Sequence, residues 1–256
     1  MPHEVRSFNS PIDWHQFGDK QIFVGEAVDE DFGYQMAVAF AQFAAGEGDP
    51  LPAPYDEVWV VTDGALTVHG DGYTVRAQKG DLVHVPLGSP GSVEADEELE
   101  LVLASHPPRW TLDQHDWAKV QEQPRHDARP RHLPATELSR TGNGHPMTVT
   151  STADHLDDTH LDMGLGRVLD DAVLELAVPH DEVVVAIDVG FTVSADDSNL
   201  GVSPGKFAYL PAGATVTFHA YRGATFAFAS HPTTEEPTSS HWQQAPLTEE
   251  ISRRKA

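Results

Sequence analysis

The chain has 256 residues, with 40 Asp or Glu against 16 Lys or Arg, a formal charge of −24, and no cysteine. That length accommodates two compact domains, and the missing cysteine excludes disulfides and thiolate metal sites. So acidic a surface repels nucleic acid and anionic lipid, whose binding rests on phosphate neutralisation. No apolar run approaches the roughly 18 residues of a membrane span, and Met1–Arg6 begins no secretory signal. These features lead us to expect a cytoplasmic monomer or homodimer whose partner is a small molecule.

In chain order, Ile12–Trp14 and Gln21–Val24 are expected as short strands. The run Tyr34–Phe43 is bracketed by Gly and Pro and is assigned to strand rather than helix, followed by a loop at Gly46–Pro50. Val58–Val61, Leu66–His69, Tyr73–Ala77, Leu82–Val85 and Leu99–Ala104 follow as short strands, separated by Asp-Gly and Pro-x-Gly turns. That punctuation indicates an antiparallel barrel or sandwich. Residues 108–145 break the rhythm: Leu112–Val120 reads as a short helix, and Pro124–Pro134 as a linker docked through Arg125, Arg129 and Arg131. A second β-rich unit starts near Met147, and the polar stretch from Thr233 reads as a poorly ordered tail except around Trp242.

The two units are copies of one another. Pro54-Tyr55-Asp56-Glu57-Val58 returns 125 positions later as Pro179-His180-Asp181-Glu182-Val183. The same offset carries Gly80, Pro86 and Gly88 onto Gly205, Pro211 and Gly213, and Ala104–Pro107 onto Ala229–Pro232. A period this long means a duplicated domain, because solenoid repeats run only about 20–50 residues. The expected division is 1–107, a linker with a short helix at 108–145, a second unit at 146–235, and a tail at 236–256.

Each unit places a glutamate seven positions before a turn, as Glu57 stands to Gly64, and then closes with Gly80-x5-Pro86-x-Gly88. This arrangement resembles the cupin superfamily, and Tyr55-Asp56-Glu57-Val58-Trp59 resembles its ethanolamine-utilisation branch. The resemblance implies an all-β fold of two cupin (double-stranded β-helix, jelly-roll) barrels in one chain, a bicupin. It also implies a metal site of two histidines, the glutamate and a last histidine. Pro50–Ala53 and Glu175–Val178 stand where the paired histidines would be, and Gly91 and Val216 where the last would fall. Only Glu57 and Glu182 remain, and a lone carboxylate does not hold a transition metal tightly. No metal ligands and no cofactor are therefore assigned; a divalent metal enters only through a rebuilt ligand set.

Alternation puts Glu57, Trp59 and Val61 on one strand face, which the cupin resemblance makes the barrel interior. Glu182, Val184 and Ala186 match them, and the smaller side chains suggest that the second barrel has more room. Counting from an outward Asp81, His84 faces inward, with Tyr209 as its counterpart, while His180 replaces Tyr55 two positions before the glutamate. The candidate catalytic residues are Glu57, His84, Glu182 and His180; those for substrate contact are Tyr55, Trp59 and Tyr209. His160 and His219 are further candidates for a ligand set around His180. Ser105-His106 is not a nucleophile–base dyad, because strand neighbours point to opposite faces.

A buried carboxylate titrates higher than usual, which suits acid–base work. The expected function is therefore a metal-independent isomerase, lyase, cyclase or hydrolase acting on a small polar metabolite. The alternatives are a non-catalytic binding or assembly bicupin, whose glutamates only bond backbone amides, and a metal-dependent oxygenase with a rebuilt site.

Overall fold

A computed structural model describes residues 4–140, 147–151, 161–196, 198–231 and 242. It divides the chain into two compact units. Each is built from a larger and a four-stranded sheet, and every strand pairing in both is antiparallel.

In the first unit the larger sheet runs Arg131–Leu133, Leu82–Val85, Asp56–Asp63, Leu99–His106, Ala37–Phe43, Ile22–Val28 and His15–Gln16. The smaller runs Gly48–Pro50, Ser92–Ala95, Ala65–Gly70 and Tyr73–Gln78. Their inner faces bury Trp59, Val61, Leu66, Val68, Val83, Val85, Leu99 and Leu101 in one core. Period-two alternation explains why each of these strands gives every second residue to that core.

The second unit repeats the plan. Its larger sheet runs Arg6–Phe8, Phe207–Leu210, Asp181–Ala186, Ala224–His231, Asp162–Val168 and Met147–Ser151. Its smaller sheet runs Ala172–Ala177, Thr215–Ala220, Phe191–Ala195 and Ser198–Val202. The sequence offset survives as strand register: Glu57 faces Val85 and Ser105, and Glu182 faces Leu210 and Ser230.

Four local expectations are amended. Ile12–Trp14 is not a strand: Ile12 and Trp14 are exposed, and the Ile12 amide donates to the Glu26 carbonyl at 2.7 Å without continuing into a ladder. Gly48–Pro50, expected as loop, pairs with Ser92–Ala95. A Cβ at Gly48 would stand 2.3 Å from the Val93 carbonyl oxygen, so glycine permits that approach. Arg6–Phe8 precedes the first barrel in the chain yet forms an edge strand of the second unit, with Phe8 stacked on Phe207 at 4.9 Å. Arg131–Leu133, read as linker, adds an edge strand beside Leu82–Val85.

The short helix runs Gln114–Glu122. Asp113 caps it, accepting from the His115 and Asp116 amides, while Asp116 answers the Asp113 amide to complete a capping box. The segment beyond docks through backbone, the Arg125 amide donating to the Gly88 carbonyl at 2.8 Å, and through His132 Nε2, 2.9 Å from Asp81 Oδ2. Arg129 stands 5.9 Å from the Tyr73 ring centroid. Residues 232–241 and 243–256, which hold most of the expected tail, and His160 lie outside the described residues.

Candidate functional site

Strand Asp56–Asp63 divides the chemistry of the first barrel between its two faces. Glu57 and Trp59 turn inward onto a cavity of about 260 Å³, also lined by Tyr55, Leu51, Val93, Leu101, Leu103, Ser105 and Trp117. Trp59 Nε1 donates to Glu57 Oε2 at 2.6 Å. The wall is largely aliphatic and aromatic, so ionising Glu57 strips its charge of water. Burial raises its pKa from 4.5 to about 7, with the Trp59 hydrogen bond opposing the rise. Burial also drives the Tyr55 hydroxyl well above its ordinary value, with the Glu57 charge adding to the effect, so the phenol stays protonated. At the edge of the lining, charges come in pairs: Arg109 with Glu26 at 3.1 Å, and Lys20 with Asp49 at 2.6 Å.

Asp56 faces the other way. It is buried and accepts from the Leu87 amide at 2.9 Å, tying down the Pro86–Gly88 turn. Asp181 does the same for Ala212 at 2.8 Å and also accepts from the Tyr209 hydroxyl at 2.7 Å. The backbone-bonding role considered for the glutamates thus belongs to the aspartates before them.

This division separates Glu57 from His84. The register sets His84 opposite Val58, hence on the face of Asp56 rather than the cavity face; Val83 and Val85 face inward instead. His84 is fully buried, with Nε2 3.8 Å from Asp56 Oδ1, and neither ring nitrogen has a hydrogen-bond partner among the described residues. Burial pulls its pKa down to about 4, against the attraction of Asp56 and with a smaller push from Arg131. Tyr209 likewise lies on the outer face opposite Val183 and does not border the second barrel's interior. The inward placement expected for both fails because the alternation was counted from the wrong residue: Asp81 is itself buried.

Among the described residues, aromatic rings pack the interior of the second barrel. At the 125-residue offset, Val93, Leu101 and Leu103 of the cavity wall become Phe218, Phe226 and Phe228. Gly164 and Gly166 replace Ala39 and Ala41, and a Cβ there would stand 2.2 Å from the Phe228 ring and 2.0 Å from the Phe226 ring. Trp242 completes the cluster, 1% exposed, its Nε1 donating to Glu182 Oε1 at 2.7 Å. The expectation of more room beside Val184 and Ala186 is thus reversed. His180 is buried and stands at the bend just before strand Asp181–Ala186. His219 faces away from the core beside Phe218 and packs on Tyr221, with ring centroids 3.8 Å apart. Ser105 lines the first cavity while His106 Nδ1 donates to the Gln35 carbonyl at 2.9 Å, so the pair diverges as expected for strand neighbours.

The ligand set that the cupin resemblance implies is not present beside Glu57. One carboxylate oxygen is engaged by an indole N–H, which has no lone pair to offer a cation. Leu51 and Val93 offer no donor either, and at Gly91 a Cβ would stand 2.2 Å from the His69 carbonyl oxygen, leaving no room for a side chain. Among the described residues, no three His, Asp or Glu side chains converge as a metal set. No helix among them is long and apolar enough to cross a membrane.

The residues that sequence reading missed are Ser105 as a cavity residue, Arg109, and the pair Trp117 and Trp242. The two tryptophans are themselves 125 positions apart, a match visible in the sequence once the repeat is carried past its last strand.

The family model described as ethanolamine utilisation protein EutQ matches residues 27–112, within the first barrel. No curated protein matches the chain. Among solved structures, a cupin 2 conserved barrel domain protein from Leptotrichia buccalis aligns with a TM-score of 0.58 at 13% identity, covering 85% of this chain and 92% of that one. An oxalate decarboxylase from Bacillus subtilis gives 0.60 at 14%, covering 91% and 78%. Procruciferin, an 11S globulin from Brassica napus, gives 0.66 at 10%, covering 91% and 85%. These likenesses span an enzyme and a globulin and share only architecture. By its doubled register and these alignments the chain has the fold of two cupin-type barrels, and residues 27–112 of the first unit match the EutQ model.

Proposed function

We propose that the first barrel is the working site and that it carries out metal-independent proton transfer on a small metabolite, with Glu57 as the acid–base group. The observation supporting this most strongly is the contrast between the copies. One retains a cavity against its glutamate, and the other is packed with aromatic rings. A cavity of about 260 Å³ lies just below the usual ligand-pocket range of about 300–1,000 Å³, so the substrate is small. Glu57 accepts a proton at neutral pH and returns it elsewhere on the substrate, as an isomerase or lyase requires. Tyr55, held protonated, serves as a fixed donor, with the Ser105 hydroxyl opposite Glu57 as a second polar contact. The charge of −24 is consistent with a small-molecule partner rather than nucleic acid or membrane, and with the cytoplasm as its compartment.

A second reading, binding without turnover, draws on the 2.6 Å Trp59–Glu57 hydrogen bond, which stabilises the carboxylate in place as a ligand anchor would need. A thermal-shift and turnover screen of small polar metabolites, run on the full chain with EDTA present, separates the two. Glu57→Gln should lower turnover at least ~100-fold, within the usual range for a general acid–base, while Glu182→Gln leaves the ligand preference unchanged. Turnover that survives Glu57→Gln, or that EDTA abolishes, contradicts the proposal. Saturable binding without turnover assigns the barrel to the second reading.

A further inference from the structure

Each barrel presents one indole N–H to its inward glutamate, but from a different place in the chain. In the first, Trp59 supplies it from two residues along the same strand, at 2.6 Å. In the second, the matching residue is Val184, and Trp242 supplies it from 60 residues downstream, at 2.7 Å. Trp242 has its own counterpart in the first unit, Trp117, at the same 125-residue offset; each lies eleven positions after the last barrel strand, which ends at His106 or His231.

The two counterparts occupy different positions. Trp242 is buried against Phe218, Phe226 and Phe228. Trp117, on helix Gln114–Glu122, is half-buried in the cavity wall, edge-on to Tyr55 at 5.6 Å. Trp59 already donates to one oxygen of the carboxylate that would draw Trp117 inward, and its ring lines the cavity beside it.

From this exchange we infer that Trp59 keeps the first barrel open by holding Trp117 out at the wall, and that Trp117 is the side chain that sets the size of molecule the cavity admits. A barrel with a small residue at the Trp59 position takes in its downstream tryptophan and closes; a barrel with tryptophan there stays open. Trp59 is thus a positioning residue and Trp117 a specificity-determining one. The inference rests on the reading of the first barrel as the working site, but it concerns where Trp117 sits, so its test needs no substrate.

The test is 19F NMR of the full chain labelled with 5-fluorotryptophan, the Trp117 resonance being assigned through Trp117→Phe. In the unmodified protein, the Trp117 resonance should broaden on addition of a soluble nitroxide while that of Trp242 does not. In Trp59→Val, the Trp117 resonance should shift and lose at least ~5-fold of that response. An unchanged Trp117 in folded Trp59→Val overturns the inference. Should Trp59→Val fail to fold, the unequal cost of two other substitutions decides. Trp242→Ala should lower the melting temperature by ~10 °C or prevent folding, and Trp117→Ala should lower it by no more than ~3 °C. Equal losses would mean that both rings are core in the same sense, and the inference would fail.

Discussion

Two buried titratable groups, Glu57 and His84, are shifted in opposite directions and so tilt stability at different ends of the pH range. Glu57 titrates at about 7 in the folded chain against 4.5 ordinarily, so as pH rises the unfolded chain loses its proton first. Stability falls between those values, and replacing the carboxylate by a neutral amide removes the loss. Glu57→Gln should therefore be more stable than the parent at pH 8, by up to about 3 kcal/mol, and little different at pH 4.5, measured by urea unfolding. A stabilising substitution that destroys function is the pattern expected where a site keeps a desolvated group for chemistry. His84 has the opposite sign: its folded pKa of about 4 lies below the ordinary 6.5, so on acidification the unfolded chain takes up the proton first. Stability should fall from pH 6.5 toward 4, and His84→Leu should flatten that limb of the profile. The inward placement of Glu57 was legible in the sequence, because a strand in a barrel alternates. The face of His84 was not: it depends on which of two adjacent residues begins the count, and Asp81, charged yet buried, misleads that choice.

At the level of elements, the strands were readable wherever turn residues framed them, and least so at the edges. Gly48–Pro50 and Arg131–Leu133 carry Gly, Pro and Arg in place of apolar alternation, and they pair because a neighbour offers a free edge rather than because their composition favours strand. Arg6–Phe8 is the extreme case, since nothing local signals that the start of the chain completes the sheet of the second barrel. Deleting residues 1–9 should consequently destabilise the second unit while sparing the Glu57 cavity. Hydrogen exchange should show protection falling in Phe207–Leu210 and unchanged in Asp56–Asp63. The aspartates that pin the turns offer a sharper local test. Tyr209→Phe deletes one donor to buried Asp181 and should cost about 1–3 kcal/mol, since a carboxylate in the interior loses one of its hydrogen bonds.

For the whole molecule, duplication explains how one copy specialised. The offset fixes a common frame, and within it three aliphatic wall residues become phenylalanines and a strand tryptophan becomes valine. Those few changes fill one barrel and leave the other open. All of them were present in the sequence, but comparing Val184 with Trp59 alone suggested the opposite outcome, because the ring that fills the space comes from beyond the last strand. The formal charge of −24 acts on both units by self-repulsion, so raising NaCl from 0.05 to 0.5 M should raise the melting temperature rather than lower it. The account turns on a carboxyl group that changes protonation near neutrality inside the first barrel. Its most direct test is a 13C NMR titration of the glutamate side-chain carboxyls in the full chain, with the Glu57 signal identified by its loss in Glu57→Gln. A midpoint near pH 7 is the result expected; a midpoint near the ordinary 4.5 would contradict the account, leaving the cavity without its acid–base group.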